Sequence, residues 1–549
     1  MRDRKLQTPQ PSVPWALLAV VAVVVFVAIV RLRVAGIPLE RDEGEYAYAG
    51  RLILEGVPPY GLAYNMKFPG TYYAYALILA LFGHTAWGIH VGLLLVNAAT
   101  ILILFAVGKR LLGEFAGAIA AVSFAILTLD RWVFGIFAHA THFVVLAVVA
   151  GLYVLLRAID NERKSSFLWS GVLFGLAVLM KQHAVFFLPL VAAIAIWGGT
   201  RDAGRSLRAD AKRVGVLALG TLLPLAAVVS VLTAQGVVGR FWFWTFRYAS
   251  AYVTEVPLPE AWSNLVSGLA FATTGNAALW ILAALGLIGL WFPPWERRTK
   301  LVVAGLLLAS FLAVCPGLYF RGHYFVLMLP AIALLTAVAA ASLRSQLERF
   351  VSRGAATALA IAVPVAAIGA YVAKESAVLF WMEPKALSRE IYGSSPFIEA
   401  VDIAKYIKDR TDASDRIAVL GSEPEIYFYA DRKAATGYIY TYALMEPQPY
   451  AKTMQEEMIR EIETAHPRYI VFSWITDSWL AQKDSDQGIV TWGRRYVRQC
   501  YDAVGVADII SEDDTRFAWD DDVRAYVASS GNLVYTFRRK SDTPCTVAR

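Results

Sequence analysis

Apolar residues in this chain gather into long unbroken blocks instead of recurring at every second position or on one helical face, so block length is the informative measure. A helix needs roughly 20 apolar residues to cross a bilayer. On that measure about eleven spans are legible: residues 15–30, 87–107, 115–129, 132–156, 167–180, 184–197, 214–234, 277–292, 301–318, 324–343 and 355–372. Several are short, which leaves their ends loose and one pair open to a re-entrant reading. The pattern predicts a polytopic α-helical membrane domain over residues 1–373. Beyond it, charge rises and apolar runs shorten. Helical periodicity over 396–410 and 423–429, with strand-like runs at 416–420, 469–474 and 533–537, predicts a soluble α/β domain over 374–549. Gly421 follows the RIAVL run alone, and without a glycine-rich fingerprint it marks no nucleotide site.

Composition sharpens this picture. Of the residues, 57% are hydrophobic and 17% charged, with mean hydropathy +0.50, far from soluble averages. The net charge of +7 is concentrated in alternate connections: Arg2, Arg4 and Lys5; Lys109 and Arg110; Arg157, Arg163 and Lys164; Arg201, Arg205, Arg208, Lys212 and Arg213; Arg297, Arg298 and Lys300; Arg344, Arg349 and Arg353. Basic residues accumulate in cytoplasmic loops. The N-terminus is therefore expected in the cytoplasm, and the first loop and the tail outside it, as in a bacterial inner (plasma) membrane protein. Arg31 and Arg33 directly follow the first block and no small-residue cleavage site is evident, so that block reads as a retained anchor. With the charge so explained, and no basic stretch interleaved with stacking aromatics in a soluble part, nucleic acid is not an expected partner. Cys315 falls in a span. Cys500 and Cys545 lie in the tail, where an oxidising compartment permits a disulfide.

The first outer loop, residues 35–86, carries the chemistry. Its opening, RDEGEYAYAG (41–50), places Asp42, Glu43 and Glu45 within four positions at the head of an amphipathic stretch. Charge beside hydrocarbon costs a few kcal/mol unless hydrated or paired, although acids also favour any solvated helix start. The loop reads as two interfacial helices around a Pro/Gly turn, with Tyr46, Ala49, Ile53 and Leu54 on the lipid side. Lys67 sits at that turn, before Phe68, Pro69 and Gly70, and is expected to point back toward the acids. Its plainer reading is snorkelling to lipid phosphate.

This order of features resembles the GT-C glycosyltransferases: a first span, an Asp-Glu pair opening the first outer loop, two juxtamembrane helices, a Lys-x-Pro turn, many further spans and a soluble outer tail. Within that superfamily it is most similar to bacterial relatives of protein O-mannosyltransferases and of aminoarabinose-lipid A transferase. The likeness covers roughly the first 340 residues. It implies a sugar taken from a polyprenyl-phosphate donor, Asp42 as the catalytic carboxylate and Lys67 as a contact to the donor phosphate. One departure stands out: the aminoarabinose transferases carry an acid beside the turn lysine, where this chain has Met66.

Other polar residues on the same expected face fit such a site. In YFRGHYF (319–325), Arg321, His323 and Tyr324 are candidate phosphate donors, the arginine through its planar fork, although an interfacial belt has the same composition. Lys181, with Gln182 and His183, forms a whole predicted turn and is a further candidate. His139 and His142 share one helical face, but a metal needs more ligands than that pair. The aromatic run 240–252 reads as an interfacial helix that anchors the protein or walls a lipid groove. A cavity shared by the first outer loop, the Lys181 turn and the 319–325 connection is expected.

The resulting reading is an inverting displacement in which Asp42 is the base and Lys67 with Arg321 stabilises the departing polyprenyl phosphate. Glu43 is the supporting acid or orients a neighbouring cation. No cofactor is firmly implied. A divalent cation is permitted, with Asp42 and Glu43 as candidate ligands, but two acids do not establish a metal site. Acceptors among glycans, lipids and proteins stay open, and membrane lipids are the remaining partners. The rival classes are a lipid or solute transporter without covalent chemistry, which would favour inverted repeats and midplane charge, and a scaffolding protein acting through its tail. Neither signature is evident.

Overall fold

The computed structural model describes residues 15–198, 206–292, 294–541 and 545. The basic residues Arg2, Arg4, Lys5, Arg201 and Arg205 lie outside them. The chain is a multi-pass helical bundle followed by a mixed α/β unit that packs against one end of it. Among the described residues, six helices are long and apolar enough to cross a membrane: Trp15–Val34, Ala86–Leu112, Ala140–Asn161, Leu207–Ala234, Gly322–Leu347 and Arg353–Lys374. A bent pair, Leu258–Thr273 and Ala277–Gly289, turns through 110° and makes a seventh if counted as one span. Apolar helices of lesser length include Glu114–Leu127, Lys164–Met180 and Gln182–Trp197.

Two of the predicted blocks are reshaped. The block at 132–156 is not helical throughout: Arg131–Val133 is a single tight turn capped by Asp130, which accepts from the Trp132 N–H at 3.0 Å, and the helix begins only at Ala140. Apolarity alone cannot register such a break. The block at 277–292 is the second arm of the bent pair, whose first arm is too amphipathic to stand out as a block. Arg31 and Arg33 prolong the first helix, Trp15–Val34, and Arg31 donates to the carbonyls of Thr128 and Gly135 at 2.9 Å each, satisfying backbone that this break leaves open.

The expected pair of juxtamembrane helices is present. We label the first helix α1 (Trp15–Val34), followed by α2 (Arg41–Leu54) and α3 (Gly70–Phe82). The expected lipid-facing side of α2 is only partly so. Leu54 is exposed, but Tyr46 and Ala49 are buried, because α2 is sandwiched between α3 and the C-terminal unit. The Tyr46 ring packs on Tyr72 and Tyr75.

The C-terminal unit carries one sheet of six strands among the described residues: β1 (Arg416–Leu420), β2 (Lys433–Ala434), β3 (Tyr469–Ser473), β4 (Tyr501–Ile509), β5 (Thr515–Trp519) and β6 (Leu533–Arg539), in the order β2-β1-β3-β6-β4-β5. β2 and β3 pair parallel to β1, and the remaining pairings are antiparallel. The helices Phe397–Lys408 and Glu425–Ala430 lie where helical periodicity predicts them. β4 and β5 have more polar sequences and escaped the apolar-run criterion. Cys500 and Cys545 are joined by a disulfide and Cys315 is free.

This unit is locked onto α2. Arg51 pairs with Asp431 at 2.9 Å and donates to the Arg432 carbonyl at 3.0 Å, and the Ala434 N–H donates to the Tyr48 hydroxyl at 2.8 Å. Arg41 donates to the Ser422 carbonyl at 2.6 Å and stands 3.7 Å from Glu423. The approach is close enough to require glycine at 44, where a Cβ would lie 2.6 Å from the Glu425 backbone nitrogen.

Candidate active site

The acidic loop folds as a self-capped helix start. Glu40 is the N-cap of α2: its carboxylate accepts from the N–H groups of Asp42 (3.0 Å) and Glu43 (2.8 Å), while Glu43 Oε2 accepts from the Glu40 N–H at 3.4 Å. Successive helical residues are rotated by about 100°, so Asp42 and Glu45 share a face and Glu43 faces elsewhere. Lys67 comes up to that shared face from the turn before α3. Its Nζ lies 2.8 Å from Asp42 Oδ1 and 2.7 Å from Glu45 Oε2, over the Tyr46 ring. Glu45 is fully buried and also accepts from the Tyr72 hydroxyl at 2.6 Å and the Asn65 amide at 2.9 Å.

Glu43 does not stand with Asp42 at the lysine, as expected of a supporting acid there. It is buried on the other side of α2, accepting from the Ala138 N–H and standing 3.0 Å from His90 Nε2. The acid that accompanies Asp42 at the lysine is Glu45. It supplies the second carboxylate that Met66 does not, from one helical turn along α2 instead of from beside the lysine.

Asp42 lies where two cavities meet. The larger, about 640 Å³, is lined by Asp42, Lys67, Lys181, Arg321 and Tyr324, and continues along an apolar wall of Val185, Phe186, Trp244, Phe246 and Val253. The first outer loop, the Lys181 turn and the 319–325 connection thus border one space. The aromatic run 240–252 forms part of its wall. The smaller cavity, about 470 Å³, has Phe134, His139, Asn264, Ser267, Phe271 and Tyr392 in its lining. Both include Asp42, Arg321, His323, Tyr440 and Tyr442.

The charges around the larger cavity do not balance. Lys181 and Arg321 pair with no carboxylate among the described residues. Their contacts are aromatic instead, the lysine 4.2 Å above the Tyr324 ring and the guanidinium 5.3 Å from the Tyr319 ring centre. Burial pushes the Lys181 ammonium down to about 7. Burial would raise the Asp42 carboxyl, but the Lys67 ammonium, together with His323 and His139, outweighs it and holds Asp42 well below the usual carboxylate range. The Arg321 guanidinium and the Lys181 amine, neither paired with a carboxylate among the described residues, beside a lysine that is already paired, suit an anion with several oxygens.

His139 lies at the N-cap of the helix Ala140–Asn161, not within a span. Its ring stacks on that of His323 at 4.4 Å, and both face Asp42. His142 is buried and lines neither cavity. Sequence reasoning grouped Glu45 with the acids of the loop but gave it no role of its own, although its i, i+3 spacing from Asp42 was a usable signal. It missed Tyr440, Tyr442 and Glu446, contributed to the larger cavity by a tail segment with no pattern pointing to a site.

Comparison with known proteins places this geometry in context. Residues 66–232 match the family described as dolichyl-phosphate-mannose-protein mannosyltransferase. The chain is 25% identical over 280 residues to an undecaprenyl phosphate-alpha-4-amino-4-deoxy-L-arabinose arabinosyl transferase 2 of Pseudomonas fluorescens, a match covering 45% of this chain and 48% of that protein. The chain thus spans about half the length of the curated relative it matches. In structure it is similar to ArnT from Cupriavidus metallidurans in the apo state, with TM-score 0.58, 15% identity and coverage of 95% of this chain and 97% of that one. It is also similar to the oligosaccharyltransferase AglB from Archaeoglobus fulgidus in complex with an inhibitory peptide and a dolichol-phosphate, with TM-score 0.53, 13% identity and coverage of 92% and 74%. The fold is that of the GT-C glycosyltransferases, as the order of motifs implied.

Proposed function

We propose that this GT-C-fold chain is an inverting glycosyltransferase that takes a hexose or pentose from a polyprenyl-phosphate donor and passes it to an acceptor at the outer face of a bacterial inner membrane. The observation that carries the reading is the anion-suited cluster of Lys67, Lys181 and Arg321 at the head of an apolar-walled cavity, with the Asp42 carboxylate at its junction with a second cavity. The larger cavity suits a donor, with phosphate among the cations and polyprenyl chain along Trp244, Phe246 and Val253. His323 and Tyr324 complete the phosphate end. The smaller cavity suits the acceptor, which then approaches the anomeric carbon from the side opposite the phosphate.

In the resting site Lys67 makes Asp42 a weak base. A donor phosphate draws on the same ammonium, so donor binding loosens the Asp42 pair and raises its proton affinity where the acceptor hydroxyl or amine arrives. Attack inverts the anomeric centre, and the cations stabilise the charge growing on the departing phosphate. Glu45 keeps Lys67 in place throughout. Relatives in the match are named for undecaprenyl phosphate and dolichyl phosphate substrates, which supports the lipid class of the donor. The alternate basic connections support eleven spans, with the N-terminus cytoplasmic and the unit beyond residue 373 extracytoplasmic.

The test is incubation of the purified protein with a panel of polyprenyl-phosphate sugars together with candidate glycan, lipid and protein acceptors. Release of free polyprenyl phosphate, followed by mass spectrometry, is the expected result, whereas unaltered donors across the panel, with lipid movement in vesicles, indicate a carrier. Protease treatment of spheroplasts should cleave the C-terminal unit, and protection until lysis reverses the topology.

A further inference from the structure

We infer that Glu461, on the helix Ala451–Ala465 of the C-terminal unit, is a positioning residue for the donor site: it fixes the turn that carries Lys67 and so sets where the ammonium meets the donor phosphate. The inference rests on Lys67 as the phosphate contact of the proposed function. Glu461 lines neither cavity, so it acts through the residues it holds.

Those residues belong to two segments far apart in sequence. From the turn before α3, the Tyr64 hydroxyl donates to Glu461 Oε1 at 3.0 Å. From the C-terminal unit, the Thr436 hydroxyl and the Gly437 N–H donate to Oε2 at 2.6 and 3.0 Å. The two segments also meet directly. The Tyr64 N–H donates to the Gly437 carbonyl at 2.7 Å, and the Tyr64 ring lies so close over Gly437 that a Cβ there would run into it. One turn back on the same helix, Glu457 accepts from the Tyr438 hydroxyl at 2.6 Å, and the Tyr438 ring meets the Tyr64 ring edge-on at 5.1 Å. Two acids four positions apart repel along a helix. Here both serve as acceptors for the chain they clamp.

Tyr64 opens the run that ends at Lys67, and the later members of that run are held as well. Asn65 donates to Glu45 at 2.9 Å, the Met66 carbonyl accepts from Gln182 at 2.6 Å, and the Lys67 carbonyl accepts from the Tyr60 hydroxyl at 2.7 Å. The Tyr64 anchor ties this run to the C-terminal unit. On the other side of the clamp, the segment that starts at Thr436 continues to Tyr440, whose ring centre lies 5.6 Å from Lys67 Nζ. One carboxylate thus fixes the approach of the lysine and of the aromatic ring beside it. The lysine side chain is a flexible stem, drawn by Asp42 and Glu45 as well as by a phosphate, so its reach into the cavity depends on where its backbone is held. A displacement of about 1 Å at such a contact can cost about 100-fold.

The test measures binding of undecaprenyl phosphate to the full-length protein in detergent by calorimetry. Glu461→Ala should weaken binding by about 10-fold, the weaker end of what hydrogen bonds to a charged group are worth in an equilibrium constant. Glu461→Gln should bind as the parent does, because its amide oxygen accepts from Thr436 and Gly437 while the Tyr64 hydroxyl accepts from its NH2. Lys67→Gln should weaken binding too, and adding Glu461→Ala to it should cost nothing further, whereas a residue that only stabilises the fold gives losses that add. Where thermal unfolding shows Glu461→Ala to be poorly folded, Tyr64→Phe, which keeps the ring over Gly437 and removes only the hydroxyl, should show the same weakening and the same coupling to Lys67. Parental binding by Glu461→Ala, or additive losses in the double variant, overturns the proposal and leaves Lys67 as a phosphate contact. Parental binding by Lys67→Gln overturns it by removing the donor reading of Lys67 itself.

Discussion

Replacing Asp42 by asparagine separates chemistry from architecture at this site. The substitution leaves Lys67 with Glu45 at 2.7 Å, and the asparagine oxygen can still accept at the Asp42 Oδ1 position. Trading a charged acceptor for a neutral one costs about 1 kcal/mol in such a bond, so the folded protein and its donor site survive. Loss of general-base assistance lowers transfer by about 100- to 10,000-fold, or about 3–5 kcal/mol of barrier. Lys67→Ala reverses the balance. It leaves the fully buried Glu45 and its neighbour Asp42 without their shared cation, a defect of about 3–5 kcal/mol, and it removes a phosphate contact present before and during reaction. Thermal unfolding, donor affinity by calorimetry and single-turnover transfer, measured for both variants and the parent, distinguish the two. Asp42→Asn with near-parental single-turnover rate refutes the assignment of the base and directs attention to His139 and His323.

Three further outcomes follow from the geometry. In the empty cavity Lys181 loses its proton as pH rises through about 7, and a bound phosphate restores it. Donor binding at pH 8 should therefore take up protons, read by calorimetry in buffers of different ionisation enthalpy, and Lys181→Met should abolish the uptake; proton-neutral binding by the parent contradicts this. Gly44→Ala places a Cβ 2.6 Å from the Glu425 backbone nitrogen and should cost about 1–3 kcal/mol by overpacking, seen as a lower unfolding temperature and faster proteolytic release of the C-terminal unit; parental behaviour dismisses the close contact. Replacing both Cys500 and Cys545, 45 residues apart, by serine removes a loop constraint worth about 4 kcal/mol. The expected result is faster protease cleavage of the C-terminal unit under non-reducing conditions, and equal cleavage rates refute a stabilising role.

Long apolar blocks, the alternation of basic connections and the acid-rich loop before a lysine turn are local properties, and the sequence alone determined them for this chain. A bilayer imposes its thickness on each helix separately, which is why helices such as Ala86–Leu112 and Arg353–Lys374 were legible without knowing their neighbours. The cation set at Lys67, Lys181 and Arg321 was legible for a related reason, since a charge held at the end of an apolar block is costly unless it meets water or an opposite charge. What the chain does with those residues in space was not local. Helical spacing along α2 puts Glu45 and not Glu43 beside Asp42, but that Lys67 comes up to this face was decided by how the turn before α3 is placed. His139 reaches the cavity through a helical break flanked by the Asp130 cap and the Arg31 contacts, and an apolar block conceals such a break. Tyr440 and Tyr442 reach Asp42 only because the C-terminal unit is seated on α2 through Arg41, Gly44 and Arg51. Contacts between residues nearly 400 positions apart leave no periodicity in the sequence, because the constraint acts on a distance in the folded chain and not on spacing along it.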